Sequence, residues 1–99
     1  MPAYIFKNTE ENMVEKKVCI TNEIGLHARA ASKFLNEAVK YNCEIEFVKD
    51  SKKYSGKSII SILSLSAHKG SELILRCDGE DENLALEKLS ELLENGLDY

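Results

Sequence analysis

The chain has 99 residues, of which 43% are hydrophobic and 30% charged, and its net charge is −4. This length supports one small globular domain with a single modest core, and an acidic chain without a basic stripe is not typical of a nucleic-acid binder. No apolar run is long enough to span a membrane, and no basic and apolar leader opens the chain. We therefore expect a cytoplasmic protein without nucleic-acid or membrane partners.

The first thirteen residues differ in pattern from the rest of the chain. A short apolar patch over residues 3–6 is followed by polar residues without a clear period. The regular pattern begins at Val14, which predicts an N-terminal extension over residues 1–13 and a globular domain over residues 14–99. We expect residues 1–12 to be dispensable for function, with the apolar patch docking on the open face of the domain's sheet or on a second copy of the chain.

Alternating hydrophobicity predicts four strands. They fall in the runs "KKVCITN", "CEIEFV", "KKYS" and "SELILRCD". Because successive side chains of a strand point to opposite faces, one face of each strand is expected to line the core. The predicted core residues of the strands are Val18, Ile20, Ile45, Phe47, Leu73 and Leu75.

Apolar residues at helical spacing predict three helices. The first is expected from Ala28 to Tyr41 and is ended by Asn42 in a left-handed conformation. The second is the short segment 58–65, and the third follows Asp81, a favourable N-cap residue. The order β-α-β-β-α-β-α predicts an α+β fold, a four-stranded antiparallel sheet with three helices packed on one face.

The segment "GLHARAAS", residues 25–32, places an imidazole at the predicted start of the first helix. If His27 is the N-cap, the unpaired amides of the first turn and the helix dipole provide a site for an anion beside its ring. Arg29 can add a charge-assisted hydrogen bond to a phosphate oxygen, and Gly25 permits a tight turn before the ring. The alternative is an exposed loop histidine followed by a solvated surface charge.

Ser58 precedes a segment with more apolar residues than one helix face can bury. A serine here is a natural N-cap, and capping alone is one interpretation of its presence. Ile62 and Leu65 are expected in the core, whereas three residues beside Ser58 are expected to be partly exposed: Ile59, Ile60 and Leu63. An exposed apolar cluster is typical of a docking surface, and core packing of a crowded segment is the alternative.

The three cysteines, Cys19, Cys43 and Cys77, lie in strand-like runs and form no CxxC motif. We therefore expect reduced, structural thiols. The two histidines, His27 and His68, are not spaced with the cysteines as metal ligands. The sequence thus predicts neither a metal nor a cofactor, and we interpret His68 as an ordinary surface histidine.

Three segments resemble the histidine-containing phosphocarrier (HPr) family. "GLHARAAS" is similar to the family's active-site motif of the type Gly-[Leu/Ile]-His-x-Arg-Pro-Ala. The segment "KSIISILSL", whose serine lies 31 residues after His27, resembles the regulatory-serine segment at matching spacing, and "HKGSELILRCDGED" resembles the last strand and turn. The resemblance covers residues 14–96 and implies an open-faced β-sandwich of order βαββαβα with spatial strand order 1-4-2-3.

The resemblance also implies a function for the histidine. In that family a phosphoryl group passes from phosphoenolpyruvate to enzyme I, then to the histidine, and then to a sugar-specific enzyme IIA. His27 is thereby implied to be phosphorylated through Nδ1, with Ala28 and Arg29 at the phosphoryl group. Ala30 stands in place of the usual proline and Ile24 in place of a small polar residue, and both departures bear on the rate of transfer.

The implied protein is a monomeric bacterial phosphocarrier rather than an enzyme. An alternative is an HPr-like regulatory binding protein in carbon or nitrogen control, since Ser58 matches the serine that HPr kinase/phosphorylase modifies; such a protein acts by binding a transcription regulator. A structural or toxin-like domain is a third alternative, which the paired motifs disfavour. The presence of His27 and Arg29 favours the carrier, because a purely regulatory relative can do without the histidine.

Overall fold

The computed structural model describes residues 5–8 and 13–98. Its strands are β1 (Ile5–Asn8), β2 (Met13–Cys19), β3 (Cys43–Lys49), β4 (Lys52–Ser55) and β5 (Glu72–Gly79). Its helices are α1 (Ala28–Ala38), α2 (Ile59–Ser64) and α3 (Glu82–Glu94), followed by a 3₁₀ turn at Gly96–Asp98.

The strands form one antiparallel sheet in the order β1-β2-β5-β3-β4. Without β1 this is the order 1-4-2-3, so the predicted four-stranded sheet and the βαββαβα order are confirmed. β1 adds a fifth strand that the hydrophobic pattern does not predict. Asn8 lies opposite Met13 and Ile5 opposite Lys16, so this part of the extension continues the sheet at its edge instead of lying across its face. Most of the remaining extension lies outside the described residues.

The core lies between the sheet and the helices. The six predicted core residues of the strands are all at most 3% exposed, which confirms the alternation read from the sequence. Phe34 of α1 packs on Phe47 of β3 with 4.9 Å between the ring centroids. On the opposite, open face of the sheet, Arg76 of β5 pairs with Glu15 of β2, its Nε lying 3.3 Å from Oε1. The sheet is therefore apolar towards the helices and charged on its other side.

α1 ends at Ala38, three residues earlier than the sequence predicts. Asn42 does not take a left-handed conformation, because its backbone N–H is held by the Asp81 carboxylate at 2.7 Å. The same contact explains why Asp81, at the N-cap position of α3, makes no side-chain hydrogen bond to that helix. Asp81 thus ties the start of α3 to the loop after α1, at the end of the domain opposite to the start of α1.

Candidate functional site

His27 is the N-cap of α1, with an extended backbone (φ −86°, ψ −175°). Its side chain is half-buried, and Nδ1 accepts a hydrogen bond from the backbone N–H of Arg29 at 3.3 Å. In a neutral imidazole a nitrogen that accepts a hydrogen bond has no proton, so this contact assigns the ring proton to Nε2 and the lone pair to Nδ1. The atom with the available electron pair therefore faces the helix N-terminus.

The first turn of α1 provides backbone donors beside His27. The backbone amides of Ala28, Arg29 and Ala30 belong to the group at a helix start that has no intrahelical partner, and they carry the positive end of the helix dipole. Ala28 and Arg29 are exposed, whereas Ala30 is fully buried. The buried methyl of Ala30 anchors the turn in the core, and an anion attached to Nδ1 would lie among amides and beside the Arg29 guanidinium.

The loop before His27 rests on a second loop that the sequence does not identify. Gly25 has φ +80°, and a Cβ atom there would lie 2.5 Å from the Ala67 carbonyl oxygen and 2.6 Å from the Cα of His68. The next N–H, that of Leu26, donates to the same carbonyl at 3.0 Å. Asn22 is buried and its side-chain amide donates to the Gly25 carbonyl. These contacts hold the loop that leads into His27.

An ion pair joins the same two loops at the surface. Lys69 Nζ lies 2.6 Å from Oε2 of Glu23, and the hydrogen bond from Lys69 lowers the pKa of Glu23. His68, interpreted from the sequence as an ordinary surface residue, lies in this supporting loop, with its Nδ1 3.0 Å from the Ser71 hydroxyl. Its backbone contacts the site, because Gly25 packs against its Cα.

Ser58 is the N-cap of α2, and its hydroxyl accepts a hydrogen bond from the Ser61 N–H at 3.3 Å. As expected, Ile62 and Leu65 are buried. The other apolar residues of the segment stay at the surface: Ile60 is 74% and Leu63 39% exposed, and Ile59 is partly buried. α2 packs against α1, so this apolar surface belongs to the same helix layer as His27.

The thiols take no part in the site. Cys19 is exposed, Cys43 is partly buried and Cys77 is buried, and all three are free. Burial raises the pKa of both the Cys43 and the Cys77 thiols, which keeps them protonated. In the described part of the chain no three acidic, histidine or cysteine side chains are grouped to hold a metal ion. No helix among the described residues is both long and apolar enough to cross a bilayer.

His27 caps a helix on an open-faced antiparallel sandwich, and comparisons with known proteins assign this chain to a class of small phosphocarrier domains. A family profile described as "PTS HPr component phosphorylation site" matches residues 14–95. The phosphocarrier protein HPr of Pseudomonas aeruginosa is 41% identical over 83 residues, which cover 83% of this chain and 92% of that protein. The chain belongs to the HPr family of the phosphotransferase system.

Two further relatives place the chain within that family. The crystal structure of HPr-C-His from Thermoanaerobacter tengcongensis superposes with a TM-score of 0.82 at 38% identity, covering 86% of this chain and 96% of that one. The HPr-like protein Crh of Bacillus subtilis is 42% identical over 78 residues, which cover 79% of this chain and 92% of Crh. The family therefore contains relatives named as phosphocarriers and a relative named only as HPr-like.

Proposed function

We propose that His27 accepts a phosphoryl group on Nδ1 from phospho-enzyme I and donates it to an enzyme IIA of a sugar phosphotransferase system. The observation that supports this is the hydrogen bond from the Arg29 N–H to Nδ1, which directs the lone pair of the ring to the helix N-terminus. The domain works as a cytoplasmic monomer between larger partners and is a carrier rather than an enzyme.

Transfer forms one bond at His27 and breaks one at the donor. The Nδ1 lone pair attacks phosphorus, and the bond from phosphorus to the donor breaks with its electron pair returning to the donor. The Arg29 N–H, which donates to Nδ1 before transfer, is then placed to donate to a phosphoryl oxygen together with the Ala28 N–H. The helix N-terminus thus supplies donors before the anion arrives, so little reorganisation is needed during the step.

Arg29 acts when charge is present on the phosphoryl group. Its side chain is exposed and can extend towards the phosphoryl oxygens without disturbing the core. A guanidinium makes charge-assisted hydrogen bonds to phosphate, and in the transfer state this contact opposes the repulsion between the phosphoryl oxygens and an acidic chain of net charge −4. Arg29 therefore stabilises the transfer state more than the free protein.

Ser58 and the apolar residues of α2 serve partner recognition in this proposal. Ile59, Ile60 and Leu63 dock against enzyme I and enzyme IIA, since Ile60 and Leu63 are exposed beside α1. HPr kinase/phosphorylase phosphorylates Ser58, whose hydroxyl lies at the start of α2. The phosphate would be tolerated by the helix N-terminus but would place a dianion in the docking surface.

A regulatory binding protein is the second candidate function. The likeness to Crh and the position of Ser58 as an N-cap favour it, with phosphorylated Ser58 binding a transcription regulator. The two candidates make different demands on His27. The carrier needs a nucleophilic ring nitrogen, whereas the regulatory protein needs only Ser58 and the surface of α2.

Incubation with enzyme I and phosphoenolpyruvate, followed by intact mass spectrometry, tests the carrier function. The parent protein should gain one acid-labile phosphoryl group, and His27→Ala should gain none. A matched reaction with HPr kinase/phosphorylase and ATP tests Ser58, with Ser58→Ala as the control. Modification of Ser58 alone, with no phosphoryl group at His27, would favour the regulatory protein and reject the carrier.

A further inference from the structure

Ile24 is a large apolar side chain that the core does not use. Among the described residues the exposed large hydrophobic side chains are those of Ile24, Val39, Ile60, Leu63 and Leu84. Ile24 is 68% exposed and lies three residues before His27. Because its side chain loses little contact with water on folding, it contributes little to the stability of the domain.

The loop that carries Ile24 lies against the loop that leaves α2. Gly25, the neighbour of Ile24, packs against the Ala67 carbonyl. Ala67 follows Leu63 by four residues, through a turn in which the Ser66 N–H donates to the Leu63 carbonyl at 3.2 Å. The segments that carry Ile24 and Leu63 therefore meet at the Ala67 carbonyl.

His27 follows Ile24 by three residues at the start of α1, and α1 packs against α2. A donor must bring its phosphorus to about 3–3.5 Å from the attacking nitrogen, and a protein surface at that distance also covers the residues that flank the ring. α2 provides one apolar contact. Ile24, in the loop just before the ring, provides a second, where a polar residue would leave only hydrogen-bonding groups.

We propose that Ile24 is a specificity-determining residue, which together with Ile60 and Leu63 forms an apolar rim around His27. The rim fits a phosphoryl donor protein whose surface beside its phosphorylated residue is apolar. The proposal rests on the carrier function described above. Ile24 makes no contact with the reacting atoms, so it contributes to binding before and during transfer equally.

The test measures the initial rate of His27 phosphorylation at several concentrations of this protein, with enzyme I as the phosphoryl donor. Ile24→Asn should raise KM roughly tenfold, the effect that about 1.4 kcal/mol has on a binding constant, and leave kcat unchanged. Ile24→Val should restore most of the loss, because it remains apolar. Leu84→Asn is the matched control, since Leu84 is 48% exposed in the first turn of α3, at the end of the domain opposite His27.

Each outcome decides the proposal. A higher KM for Ile24→Asn alone, with rescue by valine, supports the apolar rim. A KM equal to that of the parent, an equal loss for Leu84→Asn, or a fall in kcat at constant KM would overturn it. In those cases the parent is still phosphorylated at His27, so the carrier function stands. A parent protein that accepts no phosphoryl group would reject the carrier function itself, and the rim with it.

Discussion

Gly25 and Ala67 approach so closely that a Cβ atom on Gly25 would lie 2.5 Å from the Ala67 carbonyl oxygen. The two residues belong to different loops, one entering α1 and one leaving α2. Gly25→Ala therefore adds a steric clash to the strain of an alanine at φ +80°. We expect a loss of about 1–3 kcal/mol in the free energy of unfolding, together with slower phosphorylation of His27 as the loop is displaced.

Gly70→Ala provides the control for this prediction. Gly70 also has a positive φ, +92°, but a Cβ atom there would meet nothing within 4 Å. Both variants carry backbone strain, and only Gly25→Ala carries the clash. Thermal unfolding and the rate of His27 phosphorylation should be measured for both. Equal effects of the two variants on the rate would show that contact with Ala67 does not position His27.

Arg29→Ala should slow transfer and leave the fold intact. The side chain is exposed, so its removal costs little packing, whereas loss of a charged donor to the phosphoryl oxygens should reduce kcat roughly tenfold or more. Lys40→Ala is the control, because Lys40 is an exposed cation beyond the other end of α1, where it pairs with Glu37. If both variants transfer at the parent rate, Arg29 has no part in the step.

Ser58→Asp should slow phosphorylation of His27 without lowering the stability of the fold. An aspartate can still accept the Ser61 N–H at the N-cap, so unfolding should stay near that of the parent, whereas Ser58→Ala loses this bond and about 0.5–2 kcal/mol. The added negative charge should slow enzyme I-dependent phosphorylation of His27 at low salt and less so at high salt. The measurement is the initial rate for both variants across salt concentrations. A rate for Ser58→Asp equal to the parent at every salt concentration would remove Ser58 from the docking surface.

The three thiols should react in the order of their exposure. Iodoacetamide should modify Cys19 first and Cys43 slowly, because the reactive form is the thiolate and burial raises the pKa of Cys43. Cys77, which is fully buried and whose pKa is also raised by burial, should react only when the protein unfolds. Peptide mass mapping at successive times checks the order, and early labelling of Cys77 in the native protein would contradict it.

The raised pKa of Cys77 also predicts a loss of stability in alkali. Above the ordinary pKa of the thiol, 9.0, the unfolded chain loses this proton while the buried thiol keeps it. The free energy of unfolding is therefore unaffected by ionisation of Cys77 below pH 9 and falls as the pH rises further. Urea unfolding of the parent should show a steeper decline above this pH than Cys77→Ala, and parallel curves would contradict the assignment.

Removal of residues 2–12 should leave phosphorylation of His27 unchanged, because β1 pairs only with the outer side of β2. The same deletion exposes the edge of β2, and unpaired edges favour association between chains. Light scattering should therefore show a monomer for the parent and concentration-dependent association for the shortened chain. A loss of His27 phosphorylation would show that the extension contributes to the site.

The sequence predicts the local features of this fold better than the contacts between distant segments. Alternation identifies the faces of the four domain strands, because burial on one side requires it. Strand β1 is not predicted, because its four residues are too few to show alternating hydrophobicity. These residues form a strand only because they pair with β2. The end of α1 is misplaced for a similar reason, because the Asp81 carboxylate that holds Asn42 lies 39 positions away.

The candidate site divides in the same way. His27 as an N-cap, Ser58 as an N-cap and the exposure of Ile60 follow from residue type and helical spacing. The contact between Gly25 and Ala67 cannot be predicted in this way, since no residue pattern in either segment indicates that the two segments meet. The only local sign in the sequence is the glycine at position 25, because a glycine permits a positive φ and a close backbone approach.

The pairing of β2 with β5 determines when the loop that carries His27 can fold. Met13 lies opposite Asp78, so the strand that leads to His27 can pair with β5 only after all the segments between them have been synthesised. Pairings of such long sequence separation make folding slow. A growing chain on the ribosome would expose His27 well before β5 emerges, and an isolated peptide carrying "GLHARAAS" would have the histidine without its scaffold. The scaffold that positions His27 is thus a property of the completed topology and cannot form before β5 has been synthesised.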